Sequence, residues 1–224
     1  MYELNFEILL KSHKFILYGL FITVFISVIS SFLAFLIGSF LSYARTYGSK
    51  MLKIPSSFLV EFIRNTPLLI QIFIFYKGLP SLGVSFSGLT CGILSLSLYT
   101  GVYISEVIRS GINSVAKEQF LAARSLGLSR IQAYSKIIYP QAVRNVIPTL
   151  SGQFINLVKN SSLVSFIAVT DIFYVIYKGS TDEFRVYEYF LLGIVIYMGL
   201  TGLISLVFNG LNEKYKIKGK VQQI

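Results

Sequence analysis

The longest uncharged segment of this chain constrains its fold the most. Residues 15–44 contain no Asp, Glu, Lys or Arg. At 1.5 Å per residue, a helix of that length is longer than the roughly 30 Å hydrocarbon core of a bilayer. It is also too long for the apolar part of a signal peptide, and no small-residue cleavage site follows it. The segment therefore predicts a transmembrane helix that is tilted or reaches into the membrane interface.

Four further apolar segments extend this prediction over the whole chain. Hydrophobic residues make up 54% of the sequence and charged residues 13%, against a usual charged share of about 25%. This balance excludes disorder, and a lone Cys91 excludes a disulfide scaffold. We predict an all-α membrane protein with one transmembrane domain over residues 1–224. Its five spans are predicted at 15–44, 57–79, 83–105, 146–169 and 189–211, with a cytoplasmic helical loop at 106–145.

The distribution of basic residues predicts the orientation. Three segments are predicted on the same side of the membrane: the loop after the first span, the loop after the third span and the C-terminal tail. Together they hold 13 basic residues, whereas the segments on the opposite side hold 5. Because basic residues concentrate in cytoplasmic loops, the amino terminus is predicted outside and the carboxyl terminus in the cytoplasm. The 13 residues are Arg45, Lys50, Lys53, Arg109, Lys117, Arg124, Arg130, Lys136, Arg144, Lys214, Lys216, Lys218 and Lys220.

The sequence also argues against an enzyme. It contains no phosphate-binding loop, zinc-protease motif, EF-hand loop or dinucleotide-binding glycine pattern. His13 is the only histidine, so a His-based triad or metal site would need residues that the chain lacks. The net charge of +10 can indicate nucleic-acid binding, but in a membrane protein it more often reflects topology. We predict no catalysis, metal or nucleic-acid partner.

The predicted cytoplasmic loop is long enough to need internal structure. Apolar residues at helical spacing predict a short helix over Lys117–Leu126 that stops at Gly127, a residue suited to a left-handed helix end. Ser129 is the expected N-cap of a second helix that runs to about Tyr139 and ends at Pro140. Composition alone is equally compatible with an amphipathic hairpin on the inner membrane face.

This loop resembles the EAA loop of ABC importer permeases. The family pattern is Glu-Ala-Ala, three residues, Gly, nine residues, Ile, one residue and Leu-Pro, and residues 119–140 keep that spacing throughout. Ala122 and Ala123 take the two alanine positions. The chain departs from the pattern at Leu121, which replaces the glutamate, and at Tyr139, which replaces the leucine. The lost glutamate puts in doubt any salt bridge that it would make to a partner.

Three further segments resemble the permease subunits of type I ABC importers for polar amino acids, such as histidine, glutamine and glutamate permeases. Residues 61–71 are similar to their second-span signature, 103–112 to the segment before their coupling loop, and 153–163 to their fourth-span signature. Several motifs in the right order are more specific than any one of them. The chain is identified as a member of this family, with the type I importer permease fold.

The resemblance implies a division of labour in the bacterial cytoplasmic (inner) membrane. An external solute-binding protein would deliver the amino acid to two permease subunits, which are copies of this chain or paralogues. Two ATPase subunits would bind ATP and Mg²⁺, so this chain would hold no cofactor. The first loop helix would then dock in the ATPase. The expected residues of the ATPase-coupling loop are Gln119, Leu121, Ala122, Ala123, Arg124, Gly127 and Pro140. Arg124 could pair with an acidic residue on the ATPase; the alternative for Arg124 and Lys117 is attraction to anionic lipid headgroups.

Polar and charged residues inside the spans indicate where a substrate could pass. Glu61 and Arg64 are three residues apart, so they can pair on one helix face; alternatively, Arg64 faces a cavity and binds a carboxylate. Pro67 could open the helix at Asn65 and Thr66.

Lys159 has no acidic neighbour at helical spacing in its span, and a substrate carboxylate could supply the counter-charge. The nearby polar residues are Asn156, Asn160, Ser161 and Ser162, which could equally form a helix break or a subunit contact. The excess positive charge favours glutamate, aspartate or glutamine over arginine or histidine as substrate.

Two other functions fit a polytopic membrane protein. A secondary transporter driven by an ion gradient is one, although such folds are typically built from inverted repeats that this sequence lacks. A membrane scaffold that uses the same loop for docking is the other. It would leave the polar residues of the second and fourth predicted spans unexplained.

Overall fold

The structure, a computed structural model, describes residues 2–215. The predicted tail lysines Lys216, Lys218 and Lys220 lie outside this part. Residues 2–215 contain only helices and connecting turns, which confirms the all-α prediction. The helices are α1 (Glu7–Lys11), α2 (His13–Tyr47), α3 (Lys50–Arg64), α4 (Leu68–Phe73), α5 (Leu79–Ser81), α6 (Gly88–Asn113), α7 (Lys117–Ser125), α8 (Arg130–Ala133), α9 (Tyr139–Asn160), α10 (Ile172–Asp182) and α11 (Val186–Tyr215), with π-helical turns at Ile74–Gly78 and Tyr134–Ile138 and a 3₁₀-helix at Ser161–Ile167.

Three helices in the described residues, α2, α6 and α11, are long and apolar enough to cross a membrane unbroken. Two further pairs of segments could each cross as one bent span: Lys50–Arg64 with Leu68–Ser81, bent by 110°, and Arg130–Ile167 with Ile172–Asp182, bent by 54°. Residues 2–215 thus contain three to five candidate spans, and the count of five stays a prediction. The helix of the third predicted span begins at Gly88 and continues to Asn113.

The break in the first bent pair lies at Asn65, Thr66 and Pro67. Pro67 takes an extended conformation (φ −63°, ψ 137°), so the helix cannot continue through it. The buried Gln71 amide donates hydrogen bonds to the carbonyls of Ile63 (3.0 Å) and Thr66 (3.2 Å). These bonds satisfy carbonyl groups at the broken helix end, which is why such a break is tolerated among apolar helices.

Helices α2 and α6 pack closely and form the centre of the molecule. A Cβ atom on Gly38 would stand 2.7 Å from the carbonyl oxygen of Gly101, and one on Gly101 would stand 3.0 Å from the carbonyl oxygen of Ala34. Ala34 and Ile104 are fully buried in this contact region. Glycine is therefore required for the two backbones to approach this closely, as is common between helices in membranes.

The predicted outer end holds the amino-terminal segment against the start of α11. The buried carboxylate of Glu188 accepts hydrogen bonds from the Tyr2 hydroxyl, from the backbone N–H of Asn5 at 2.9 Å and from Arg185 at 3.3 Å. The hydrogen bond to this carboxylate raises the pKa of the Tyr2 phenol. These contacts tie residues at the beginning of the chain to a helix near its end.

The segment between α6 and α9 has the first helix that the sequence predicts. Helix α7 covers Lys117–Ser125, and Gly127 has a φ of +83°, which confirms its predicted left-handed conformation. Ser129 caps α8 as predicted: its hydroxyl accepts from the backbone N–H of Gln132 at 3.2 Å, while the Gln132 side chain accepts from the Ser129 N–H at 2.8 Å. The two helices are thus separated by a defined turn.

The predicted end of the second helix at Pro140 is wrong. Helical structure runs from Arg130 through the π-helical turn into α9, where Pro140 occupies the first turn. Proline lacks an N–H, and the π-helical turn directly before it replaces the ordinary bonding pattern at this point. The Gln141 side chain also donates to the Ile137 carbonyl at 3.0 Å. The proline therefore falls at a helical irregularity instead of ending the helix.

Candidate functional site

A polar cavity of about 320 Å³ lies between α6 and α9. Both helices present polar residues one turn apart, so their side chains share one face of each helix. The polar groups of the side chains that line the cavity are amides, hydroxyls and phenols. Its residues are Tyr99, Thr100, Tyr103, Gln153, Asn156 and Asn160. A neutral group of donors and acceptors of this kind can bind a small polar molecule through hydrogen bonds.

One wall of the cavity is formed by two tyrosines of α6. The rings of Tyr99 and Tyr103 are 4.9 Å apart, and the Tyr99 hydroxyl donates to the Tyr103 oxygen at 3.5 Å. The guanidinium of Arg64 lies 6.0 Å from the centre of the Tyr103 ring. Arg64 therefore lies near one of the rings that line the cavity, and it is itself exposed.

The predicted Glu61–Arg64 ion pair is wrong. No ion pair joins the two residues in the part of the chain that the structure describes. Arg64 is the last residue of α3, and its side chain extends toward Tyr103 at the helix end instead of along its own helix. The alternative that Arg64 serves the substrate pathway stays a prediction.

The other pathway residues predicted near the helix break are placed differently. The Thr66 hydroxyl donates to the carbonyl of Phe62 at 2.9 Å and accepts from Gln71 at 2.9 Å, so it stabilises the break. Asn65 is exposed at the same break. Neither residue lines the cavity between α6 and α9.

The structure divides the polar residues of α9 into two groups. Asn156 and Asn160 line the cavity, as predicted for a shared helix face. Lys159 lies outside the lining and is exposed, and its ammonium group forms no hydrogen bond or ion pair within residues 2–215. The hydroxyl of Ser161 donates to the Val158 carbonyl, and that of Ser162 to the Lys159 carbonyl, each at 2.8 Å. Both serines thus satisfy helix carbonyl groups.

Four lining residues were not predicted from the sequence. Gln153 could have been found, because it lies three residues before Asn156 on the same helix face. No sequence pattern singled out the other three, because tyrosine and threonine are ordinary residues in an apolar span. They are Tyr99, Thr100 and Tyr103.

The predicted inner end of α6 carries a network of three charged residues. Glu106 bonds to Arg45 of α2 and, at 3.0 Å, to Arg109 one turn further along α6. The Arg45 side chain is 12% exposed and that of Glu106 is 21% exposed. The network therefore links α2 to α6 in a partly buried environment.

Helix α7 exposes most of the residues predicted to couple to an ATPase. Gln119, Leu121 and Ala122 are exposed, and Leu121 is 62% exposed at the position of the motif glutamate. Ala123 is instead buried, because α7 contacts α8 and the π-helical turn on this side. Arg124 donates to the Leu128 carbonyl at 2.7 Å and thereby fixes the turn after the helix.

The described residues offer no obvious metal site. No group of three or more His, Cys, Asp or Glu side chains among residues 2–215 is placed to bind a metal ion.

The chain is similar to known transport proteins over nearly its whole length. It is 38% identical over 211 residues to the probable glutamine ABC transporter permease protein GlnM of Bacillus subtilis, covering 94% of this chain and 98% of that protein. It is 35% identical over 216 residues to a putative glutamine transport system permease protein GlnP of Rickettsia felis, covering 93% and 98%.

Solved structures agree with this similarity. The crystal structure of an amino acid ABC transporter with histidines contains a chain with 29% identity and a TM-score of 0.88, covering 95% of this chain and 100% of that one. A chain of the methionine ABC transporter MetNI, at 17% identity and a TM-score of 0.73, shares the fold. The family of binding-protein-dependent transport system inner membrane components matches residues 34–217. This chain therefore belongs to that family of inner membrane transport components.

Proposed function

We propose that this chain is the non-enzymatic permease subunit of an ATP-driven importer and that it forms the pathway for a polar amino acid, with glutamine favoured. The observation that carries the proposal is the neutral cavity between α6 and α9, lined by three side-chain amides. An amide both donates and accepts hydrogen bonds, so these groups match the side-chain amide of glutamine. The relatives named for glutamine transport support the same substrate.

The cavity favours glutamine over the acidic amino acids predicted from the sequence. A glutamate or aspartate side chain would bring a second carboxylate into the cavity, where no cationic residue belongs to the lining. Desolvation of that charge would be unfavourable without a counter-charge. Lys159 or Arg64 could supply such a charge only from outside the lining.

The transport cycle needs partners that this chain must contact. An external binding protein delivers the amino acid, and two ATPase subunits bind ATP and Mg²⁺ on the cytoplasmic side. A second permease subunit, a copy or a paralogue, completes the membrane part, which is surrounded by lipid. Helix α7 docks on the ATPase through its exposed residues. The excess of basic residues beside α7 supports a cytoplasmic position for it in the bacterial inner membrane.

Uptake of labelled glutamine tests this proposal. Vesicles that contain the complete transporter should accumulate glutamine only with ATP inside and binding protein outside. Unlabelled glutamine should compete more strongly than glutamate, aspartate, arginine or histidine. Accumulation that persists without ATP and stops when ion gradients are dissipated would show a secondary transporter instead. An absence of uptake by the assembled complex would favour a scaffold.

Variants of α9 test whether residues that line the cavity, and not their neighbours on the helix, contact the substrate. Asn156→Leu and Asn160→Leu should each lower glutamine uptake by about fivefold or more, because a lost hydrogen bond to the substrate costs about 1–3 kcal/mol. Lys159→Met is the matched control on the adjacent face. Glutamine uptake that falls only in the Lys159 variant would refute the cavity as the site and support the carboxylate contact predicted for Lys159.

A further inference from the structure

Four aromatic rings from separate helical elements meet beside α7. Tyr47 is the last residue of α2, Phe120 lies in α7, Tyr134 begins the π-helical turn and Tyr139 begins α9. The Tyr134 ring lies 5.4 Å from that of Phe120, 5.8 Å from that of Tyr139 and 6.0 Å from that of Tyr47. Tyr134 therefore contacts one ring from each neighbouring element. We call these four residues the aromatic cluster.

The cluster brings together side chains of α7, the end of α2 and the start of α9. Phe120 belongs to α7, whose other face is exposed, whereas Tyr47 and Tyr139 belong to helices of the candidate membrane spans. Tyr134 meets the Tyr47 ring edge-on, at 90°, and meets the rings of Phe120 and Tyr139 at 49° and 45°. Rigid rings in tilted and edge-on contacts interact favourably in defined geometries. Movement of α7 must therefore displace these contacts or carry them with it.

The backbone at Tyr134 is itself irregular. The turn Tyr134–Ile138 is π-helical, and Pro140 follows two residues later in the first turn of α9. π-helical turns inside longer helices are frequent at functional sites, and helices bend most readily at such turns and at proline. The central ring of the cluster thus lies where the helix that leads to the cavity can change direction.

The same arrangement accounts for a departure from the family pattern. Tyr139 occupies the position of a leucine in the motif, and here its ring packs on Tyr134. An aromatic ring at this position completes the contact between the π-helical turn and the start of α9.

We propose that Tyr134 is a positioning residue that transmits movement of α7 to α2 and α9. The ring couples the docking helix to the two membrane helices, and the π-helical turn provides the hinge. This inference rests on the proposed function, because it needs an ATPase that moves α7.

The test compares Tyr134→Ala, Tyr134→Phe and Tyr47→Ala in the complete transporter reconstituted in vesicles. Glutamine uptake and ATP hydrolysis are measured in the same samples. Tyr134→Ala should lower the amount of glutamine transported per ATP hydrolysed by about tenfold, within the range usual for coupling between sites. Tyr134→Phe keeps the ring and should retain wild-type coupling. Tyr47→Ala should also reduce coupling, although Tyr47 lies outside α7.

Matched controls separate this role from a general structural one. Tyr177 is 61% exposed on α10 and stacks on no other ring within residues 2–215, so Tyr177→Ala should leave transport per ATP unchanged. Copurification of the ATPase with each variant reports on docking.

The outcomes are distinct. Wild-type coupling in Tyr134→Ala would overturn the inference, and so would loss of ATPase binding, which would show that the ring only holds α7 in place. Wild-type coupling in Tyr47→Ala would overturn the transmission to α2. A wild-type complex that shows no ATP-dependent uptake would refute the proposed function instead.

Discussion

The close contact between α2 and α6 makes Gly38→Ala a sensitive test of the fold. The added Cβ would stand 2.6 Å from the Cγ2 atom of Ile104 and 2.7 Å from the carbonyl oxygen of Gly101. Ile104 is fully buried and cannot turn away into solvent. The second clash involves the backbone, so a change of rotamer cannot relieve it.

The size of the effect follows from these distances. Ordinary contact of a Cβ begins near 3.4 Å, so the distance to the Gly101 oxygen falls short by about 0.7 Å. The helices must separate by a comparable amount, and a gap of that size removes a quarter to a half of the attraction at each affected contact. Overpacking of this kind usually costs about 1–3 kcal/mol, and we expect that loss in the free energy of unfolding.

Unfolding by SDS in detergent micelles, followed by circular dichroism, measures this loss. Gly152→Ala is the matched control, because a Cβ at Gly152 has no neighbour within 4 Å and alanine favours helix. It should unfold at the same or a higher SDS fraction than the wild type. Equal stability of the wild type and Gly38→Ala would refute the close α2–α6 packing.

Three further substitutions test other parts of the structure. Gly127→Val should lower uptake at normal membrane abundance, because a β-branched residue resists a φ of +83°. Gly127→Asn should be tolerated, and wild-type uptake by the valine variant would contradict this prediction. Glu106→Gln should lower the free energy of unfolding by about 1–3 kcal/mol, because Arg45 would lose the carboxylate of its ion-pair partner. Arg109→Gln changes a more exposed side chain and should lower the free energy of unfolding by less in the same SDS titration. Glu188→Gln should weaken the hold on the amino-terminal segment and accelerate amide hydrogen exchange at Asn5; unchanged exchange would show that other contacts fix the segment.

Apolar length and local turn chemistry made part of the fold predictable. Helix α2 contains the whole uncharged segment 15–44, because apolar residues without proline have no alternative to a helix in a membrane. Gly127 and Ser129 were predicted correctly because a left-handed helix end and an N-cap depend on few neighbours.

The continuous helix through Pro140 could not be predicted in the same way. A proline after an apolar helix normally marks its end, and no periodicity in the sequence distinguishes a π-helical turn from an α-helical one. Here the irregular turn Tyr134–Ile138 precedes the proline, and tertiary contacts of Tyr134 with Tyr47 and Phe120 stabilise that turn. The deciding interactions therefore come from residues far away in the sequence.

The candidate cavity shows the same limit at the level of single residues. Asn156 and Asn160 stood out because polar side chains are costly in a membrane helix, and both line the cavity. Lys159 stood out more strongly for the same reason, yet it is exposed and lies outside the lining, since adjacent helical residues differ by about 100° around the axis. Polarity thus identifies the segment of α9 that borders the cavity, whereas the packing of α6 against it decides which of its side chains line that cavity.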